Sequence, residues 1–142
     1  MDASMTIAQS GGDQLVRQDT LNPLAGLPRR LKLLIAIPAL NEEQSIRGII
    51  ERSLAARRYI MEHSPVTEVA ITVVSDGSTD ATVERAREYA RDIEVIVFEK
   101  NRGYGAAIME AWSRSDAELL SFLDADGTCE PRFFADLCRN LV

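Results

Sequence analysis

One histidine, one tryptophan and two cysteines in 142 residues leave little room for several kinds of chemistry. A histidine-rich metal centre needs more imidazoles than His63 supplies. Beside Ser64 and Pro65, at an expected helix end, its charge suits the last helical carbonyls. Cys129 and Cys138 form neither a CxxC nor a Cys/His cluster, so both are expected as free thiols without a role. No apolar run approaches the roughly 18 to 20 residues that span a bilayer, and Met1 to Thr20 lacks the basic start and apolar stretch of a secretory signal. A cytoplasmic location is therefore expected. Clustered cations are missing too: the net charge is −6, and Lys and Arg alternate with Asp and Glu, which argues against nucleic-acid binding.

What is present is the composition of a globular chain, 46% hydrophobic and 27% charged, enough for one compact domain. Met1 to Arg30 shows no sustained period and contains Gly11-Gly12, Pro23, Gly26 and Pro28. It is expected to be a poorly ordered arm, packing at most through Leu21, Leu24 and Leu27. Residues 31–142 form the domain proper.

Within it, strand-like runs at Leu33 to Ile37, Val69 to Val74, Ile93 to Phe98 and Leu119 to Leu123 alternate with helical stretches. The helices are expected at Glu43 to Met61, Ala81 to Arg91 and Tyr104 to Ser113, with a last one begun by Pro131. This alternation predicts an α/β fold, a Rossmann-like, mostly parallel sheet flanked by helices, with ligands at the carboxyl ends of the strands.

Each strand runs into a polar segment: Pro38-Ala39-Leu40-Asn41-Glu42, Ser75 to Asp80, Glu99 to Gly103, and Asp124-Ala125-Asp126-Gly127. Asp124 and Asp126, flanking one small residue after a buried strand, suit Mg²⁺ or Mn²⁺ when a diphosphate supplies further oxygens. The same residues could simply make a turn. Asp76 could accept from a nucleobase N–H, while Ser78, Thr79 and Asp80 read as helix caps. Lys100 to Gly105 offers cations and two glycines before a helix, either a phosphate-facing loop or a solvated one. Ile108 stands where a dinucleotide fingerprint needs its third glycine.

In this order and spacing, the four segments resemble the family 2 glycosyltransferases of the GT-A fold, particularly the polyprenyl-phosphate (dolichol-phosphate mannosyltransferase-like) members. The match runs from Leu33 to Leu141. The resemblance implies a nucleoside-diphosphate sugar as donor, with Pro38, Ala39, Leu40 and Glu42 lining the nucleoside pocket and Asp76 reading the base. It implies that Lys100 to Gly103 lies beside the nucleotide, and that Asp124, Ala125 and Asp126 meet ribose, diphosphate and metal, Asp126 being the stronger ligand. Leu40 stands where the family often has an aromatic, Ser75 where it often has an aspartate, and Ala111 where a glycine is common.

The family inverts the anomeric centre by direct displacement, with the metal stabilising charge on the departing diphosphate. A hydroxyl acceptor needs a carboxylate base downstream of the DxD, whereas a polyprenyl phosphate carries its own nucleophilic charge. The chain stops at Val142, so the transferase base is not expected here and the domain is expected to be incomplete at its C-terminus. Membrane association would come through a missing C-terminal part or a partner. Alone, the chain is expected to bind nucleotide weakly and turn over little.

Three rivals remain. Leu123 to Thr128 also spells the DxDGT of haloacid-dehalogenase-like phosphatases, with Asp124 as nucleophile and Asp126 as acid/base. That family carries the motif on its first strand and needs a downstream lysine and acidic pair. A non-catalytic nucleotide-binding module is the second rival. A nucleotidyltransferase, the third, is discouraged by the lack of a Gly-rich basic loop after the first strand.

Overall fold

The computed structural model describes residues 3–7 and 30–141. Five strands form one sheet in the order β1-β5-β2-β3-β4. They are β1 (Ala3–Ile7), β2 (Lys32–Ala39), β3 (Glu68–Asp76), β4 (Glu94–Phe98) and β5 (Leu119–Leu123), and they alternate with helices α1 (Ile46–His63), α2 (Thr82–Arg87), α3 (Tyr104–Ser113) and α4 (Phe133–Arg139). β2 is parallel to β3 and β5, β3 is parallel to β4, and among the described strands only β1 runs antiparallel, against β5.

Both faces of β2 are buried, and its side chains divide strictly between two cores. Leu33, Ile35 and Ile37 join Ile46, Ile49, Ile50 and Ile60 of α1 and Phe134 and Cys138 of α4. Leu34 and Ala36 face the other way, onto Ala107 and Ala111 of α3, with Val74, Ile96 and Phe98 from the neighbouring strands. Small residues on α3 let its backbone come close to the sheet. Each fully buried Leu or Ile contributes about 1.5–3 kcal/mol. Ser121, buried within the sheet, donates its hydroxyl to the Leu34 carbonyl at 2.6 Å, and Trp112 Nε1 of α3 donates to the Ser121 carbonyl at 3.0 Å.

One stretch of the expected arm needs correction, because Ala3–Ile7 is a strand registered from Ala3 opposite Leu123 to Ile7 opposite Leu119, while 8–29 lie outside the described residues. Its half-buried Met5 packs on the first core, with the Cys138 thiol donating to its sulfur at 3.5 Å. A five-residue strand whose polar Ser4 and Thr6 are exposed carries too weak an alternation to stand out against the polar stretch after it. The suggested packing of Leu21, Leu24 and Leu27 lies outside the described residues. α1 starts at Ile46 rather than Glu43, and α2 ends at Arg87 rather than Arg91, with turns to Ile93. His63 closes α1, its ring stacked on Tyr59 at 4.1 Å and its Nδ1 2.9 Å from the Tyr59 carbonyl.

Candidate functional site

From β2 the chain steps outward to β3 and β4, then returns to the other side of β2 as β5. The connections leaving β2 and β5 therefore part in opposite directions, and a crevice opens at their carboxyl ends. A cleft of about 390 Å³ lies there, lined by Pro38, Ala39, Leu40, Glu42, Asp76, Asn101, Gly103, Tyr104, Asp124, Ala125 and Asp126. All four polar segments contribute. Of the loop expected beside the nucleotide, the two cations Lys100 and Arg102 are not among the lining, and both are exposed.

The segments after β2 and β3 are tied side chain to backbone. Asn41, at φ 53°, accepts on its Oδ1 from the Thr79 N–H at 2.8 Å, and its own N–H donates to the Ser78 hydroxyl at 3.0 Å. The Glu42 N–H donates to Thr82 Oγ1 at 2.8 Å, and the Ala81 N–H to the Glu43 carboxylate at 3.1 Å. Ser78 and Thr79, expected as caps, thus clasp the β2 loop instead. Asp80 does serve the start of α2, accepting from the Thr82 N–H at 2.9 Å. Burial alone would raise the Asp80 pKa, but the Thr82 hydroxyl, the Thr82 N–H and the Glu43 N–H together lower it.

Asp76, only 4% exposed, ends β3 at the cleft. Its Oδ1 accepts from the Arg102 N–H at 2.6 Å and its Oδ2 from the Gly103 N–H at 3.0 Å. These amides lead into α3, so the helix terminus that the sequence offered to a phosphate already faces a carboxylate. The Arg102 guanidinium lies over the Phe98 ring, 4.2 Å from its centroid, rather than in the cleft. Gly77, at φ 82°, lets the β3 and β4 loops touch: a Cβ there would sit 2.7 Å from the Asn101 nitrogen.

The third wall follows β5. Asp124 is half-buried and accepts on Oδ1 from the Tyr104 hydroxyl. Asp126 is exposed, and its Oδ1 accepts from the Thr128 N–H at 3.0 Å and the Thr128 hydroxyl at 2.8 Å. The Thr128 N–H first, and its hydroxyl second, hold the Asp126 carboxyl below its ordinary pKa against the opposing effect of burial. Ser45 donates to the Ala125 carbonyl at 2.7 Å, and Arg52 of α1 to the Gly127 carbonyl at 2.9 Å, which anchors this turn. Asp124 and Asp126 thus reach one cleft as a pair of oxygen donors, a set that suits a hard divalent cation. Among the described residues no group of three His, Cys, Asp or Glu converges to complete a protein-only cage.

Asn101, inside the loop expected beside the nucleotide but not named for a role, and Tyr104, just beyond that loop, also line the cleft. Asn101 Nδ2 donates to the Asp76 carbonyl at 3.3 Å. The available signal for Tyr104 was an aromatic at the first position of a helix that starts beside the strand ends.

Comparison with known proteins gives a consistent picture. The family model described as glycosyl transferase family 2 matches residues 34–141. A dolichyl-phosphate beta-glucosyltransferase of Drosophila melanogaster is 35% identical over 102 residues, which is 68% of this chain and 31% of that protein. The crystal structure of S. aureus TarS 1-349 in complex with UDP is 27% identical with a TM-score of 0.61, covering 75% of this chain and 31% of that one. M. tuberculosis glucosyl-3-phosphoglycerate synthase, in complex with Mn²⁺, UDP-glucose and phosphoglyceric acid, is 25% identical with a TM-score of 0.51, covering 72% and 34%. The chain thus spans about a third of the length of these proteins.

Proposed function

The chain belongs to glycosyl transferase family 2, and from that premise we propose that residues 31–142 bind the nucleoside-diphosphate sugar of an inverting, metal-dependent sugar transfer. The observation that carries this reading is the meeting of all four strand-end segments in one cleft at the point where the sheet order reverses. The walls divide the work. Pro38, Ala39, Leu40 and Glu42 form the nucleoside side, with exposed Leu40 as the apolar surface for the base. Asp76 meets the base edge while it holds the next loop.

On the other wall Asp124 and Asp126 would hold a divalent cation, Mg²⁺ or Mn²⁺, two carboxylates being enough where a diphosphate can supply further oxygens. The cation supplies neutralisation of the charge that develops on the leaving diphosphate. The carboxylates would fix where that neutralisation is applied, and the Thr128 N–H and hydroxyl hold the Asp126 carboxyl below its ordinary pKa. The Mn²⁺ and UDP-glucose of the mycobacterial synthase and the UDP of TarS support this ligand class.

The acceptor we propose is a polyprenyl phosphate, supported by the dolichyl-phosphate relative, and the site we propose for the reaction is the cytoplasmic face of a membrane. Among the described residues no helix is long and apolar enough to cross one. A phosphatase based on Asp124 and Asp126 is not retained, because the pair follows the fifth described strand rather than the first.

Calorimetric titration of the chain with UDP and GDP, in Mn²⁺ and in chelator, tests the reading. Binding that depends on Mn²⁺ and disappears in Asp126→Ala is expected. No affinity for either nucleotide in the presence of Mn²⁺ would overturn it.

A further inference from the structure

We propose that Tyr104 is a positioning residue for Asp124, set in place by Asp76, so that the two walls of the cleft are mechanically one. This rests on the reading of the cleft as a donor site. Tyr104 lines the cleft and is 48% exposed, so its hydroxyl works at the cleft surface rather than in the core. The ring meets Phe122 edge-on, at 5.9 Å between centroids and 88° between planes, which fixes where the hydroxyl points. That hydroxyl donates to Asp124 Oδ1.

The other end of the arrangement is Asp76. α3 has no side-chain cap at Gly103, and the two N–H groups immediately before Tyr104 are both held by the Asp76 carboxylate. Asp76 therefore sets the start of α3, the start of α3 places Tyr104, and Tyr104 orients the Asp124 carboxylate. A donor on one oxygen restricts rotation of a carboxylate and pre-aims it at a cation, as partners of metal ligands generally do. A residue present only for packing would act through its ring and not through its hydroxyl.

The test uses the full chain and two dissociation constants for UDP, one in Mn²⁺ and one in chelator. Their ratio measures the gain due to metal. Tyr104→Phe keeps the ring on Phe122 and removes the donor, and the ratio is expected to fall by about tenfold, with the loss carried by the constant measured in Mn²⁺. A Tyr104→Phe ratio equal to wild type overturns the positioning role and leaves the donor-site reading intact. A wild-type chain whose affinity for UDP, and for GDP measured in the same way, does not respond to Mn²⁺ overturns both.

Asp76→Asn tests the delivery, since each Asp76 oxygen accepts from one of the two amides and a carboxamide keeps only one acceptor, its NH₂ facing the other N–H as a second donor. Its effect on the ratio is expected to be absorbed in the double variant with Tyr104→Phe. Full additivity would show Asp76 acting independently of Tyr104 and would overturn that link.

Discussion

Gly77 is where two lips of the cleft touch. Its positive φ suits a residue without a Cβ, and a Cβ would meet the backbone of Lys100 and Asn101, which cannot swing aside as a side chain can. Gly77→Ala is expected to cost about 1–3 kcal/mol of stability, read as a lower urea midpoint, and to weaken nucleotide binding because it moves the Asp76 loop. Much at this scale was visible before folding. The carboxylates at 76, 124 and 126 and the apolar Leu40 announce a polar ligand with an apolar part, and strand ends are where such residues gather. What could not be read was who holds whom. Ser78 and Thr79 have the chemistry of caps, yet they bind Asn41, a partner 37 or 38 positions away. Arg102 has the charge for a phosphate but lies on Phe98. Residue type specifies a donor or an acceptor, and only the tertiary path chooses its mate.

Among the elements, those with internal pattern were the readable ones. α3 and β5 run over the expected residues, and β2 and β3 extend slightly beyond their apolar runs. α1 begins late because the residues before it are engaged with the β3 loop, a tie that local propensity does not report. At the amino ends of the strands, away from the cleft, β2 and the turn before β5 meet through charge: Lys32 Nζ lies 2.8 Å from Asp116 and 3.6 Å from Glu68. The hydrogen bond from Lys32 is the main reason the Asp116 pKa is lowered, with its charge adding to it. A lowered folded pKa gives stability that is complete above the unfolded pKa and is lost as pH falls through the folded one. Lys32→Met is therefore expected to flatten the fall of the urea midpoint between about pH 5 and pH 3, since Asp116 then titrates more nearly as in the unfolded chain. An unchanged slope would show that Lys32 does not couple to Asp116 in solution.

For the molecule as a whole, one edge of the sheet is covered by β1, which lies outside the family-matched residues 34–141. Removing residues 1–7 exposes the hydrogen-bonding edge of β5 and withdraws Met5 from the core. The expected result is a loss of about 1 kcal/mol in stability, together with concentration-dependent association in light scattering, because an open edge pairs with other chains. A truncated chain that stayed monomeric and equally stable would show that β1 does not protect the edge. The same sheet order also governs how the site comes into being. β2 meets β3 across 36 residues, from Lys32 to Glu68, but meets β5 across 86, from Leu33 to Leu119. Loop closure makes the second pairing costlier by about 0.8 kcal/mol in chain entropy. A chain growing from its amino end completes β2, β3 and β4 before Leu119 has been added, so the binding crevice cannot be assembled until β5 has been synthesised.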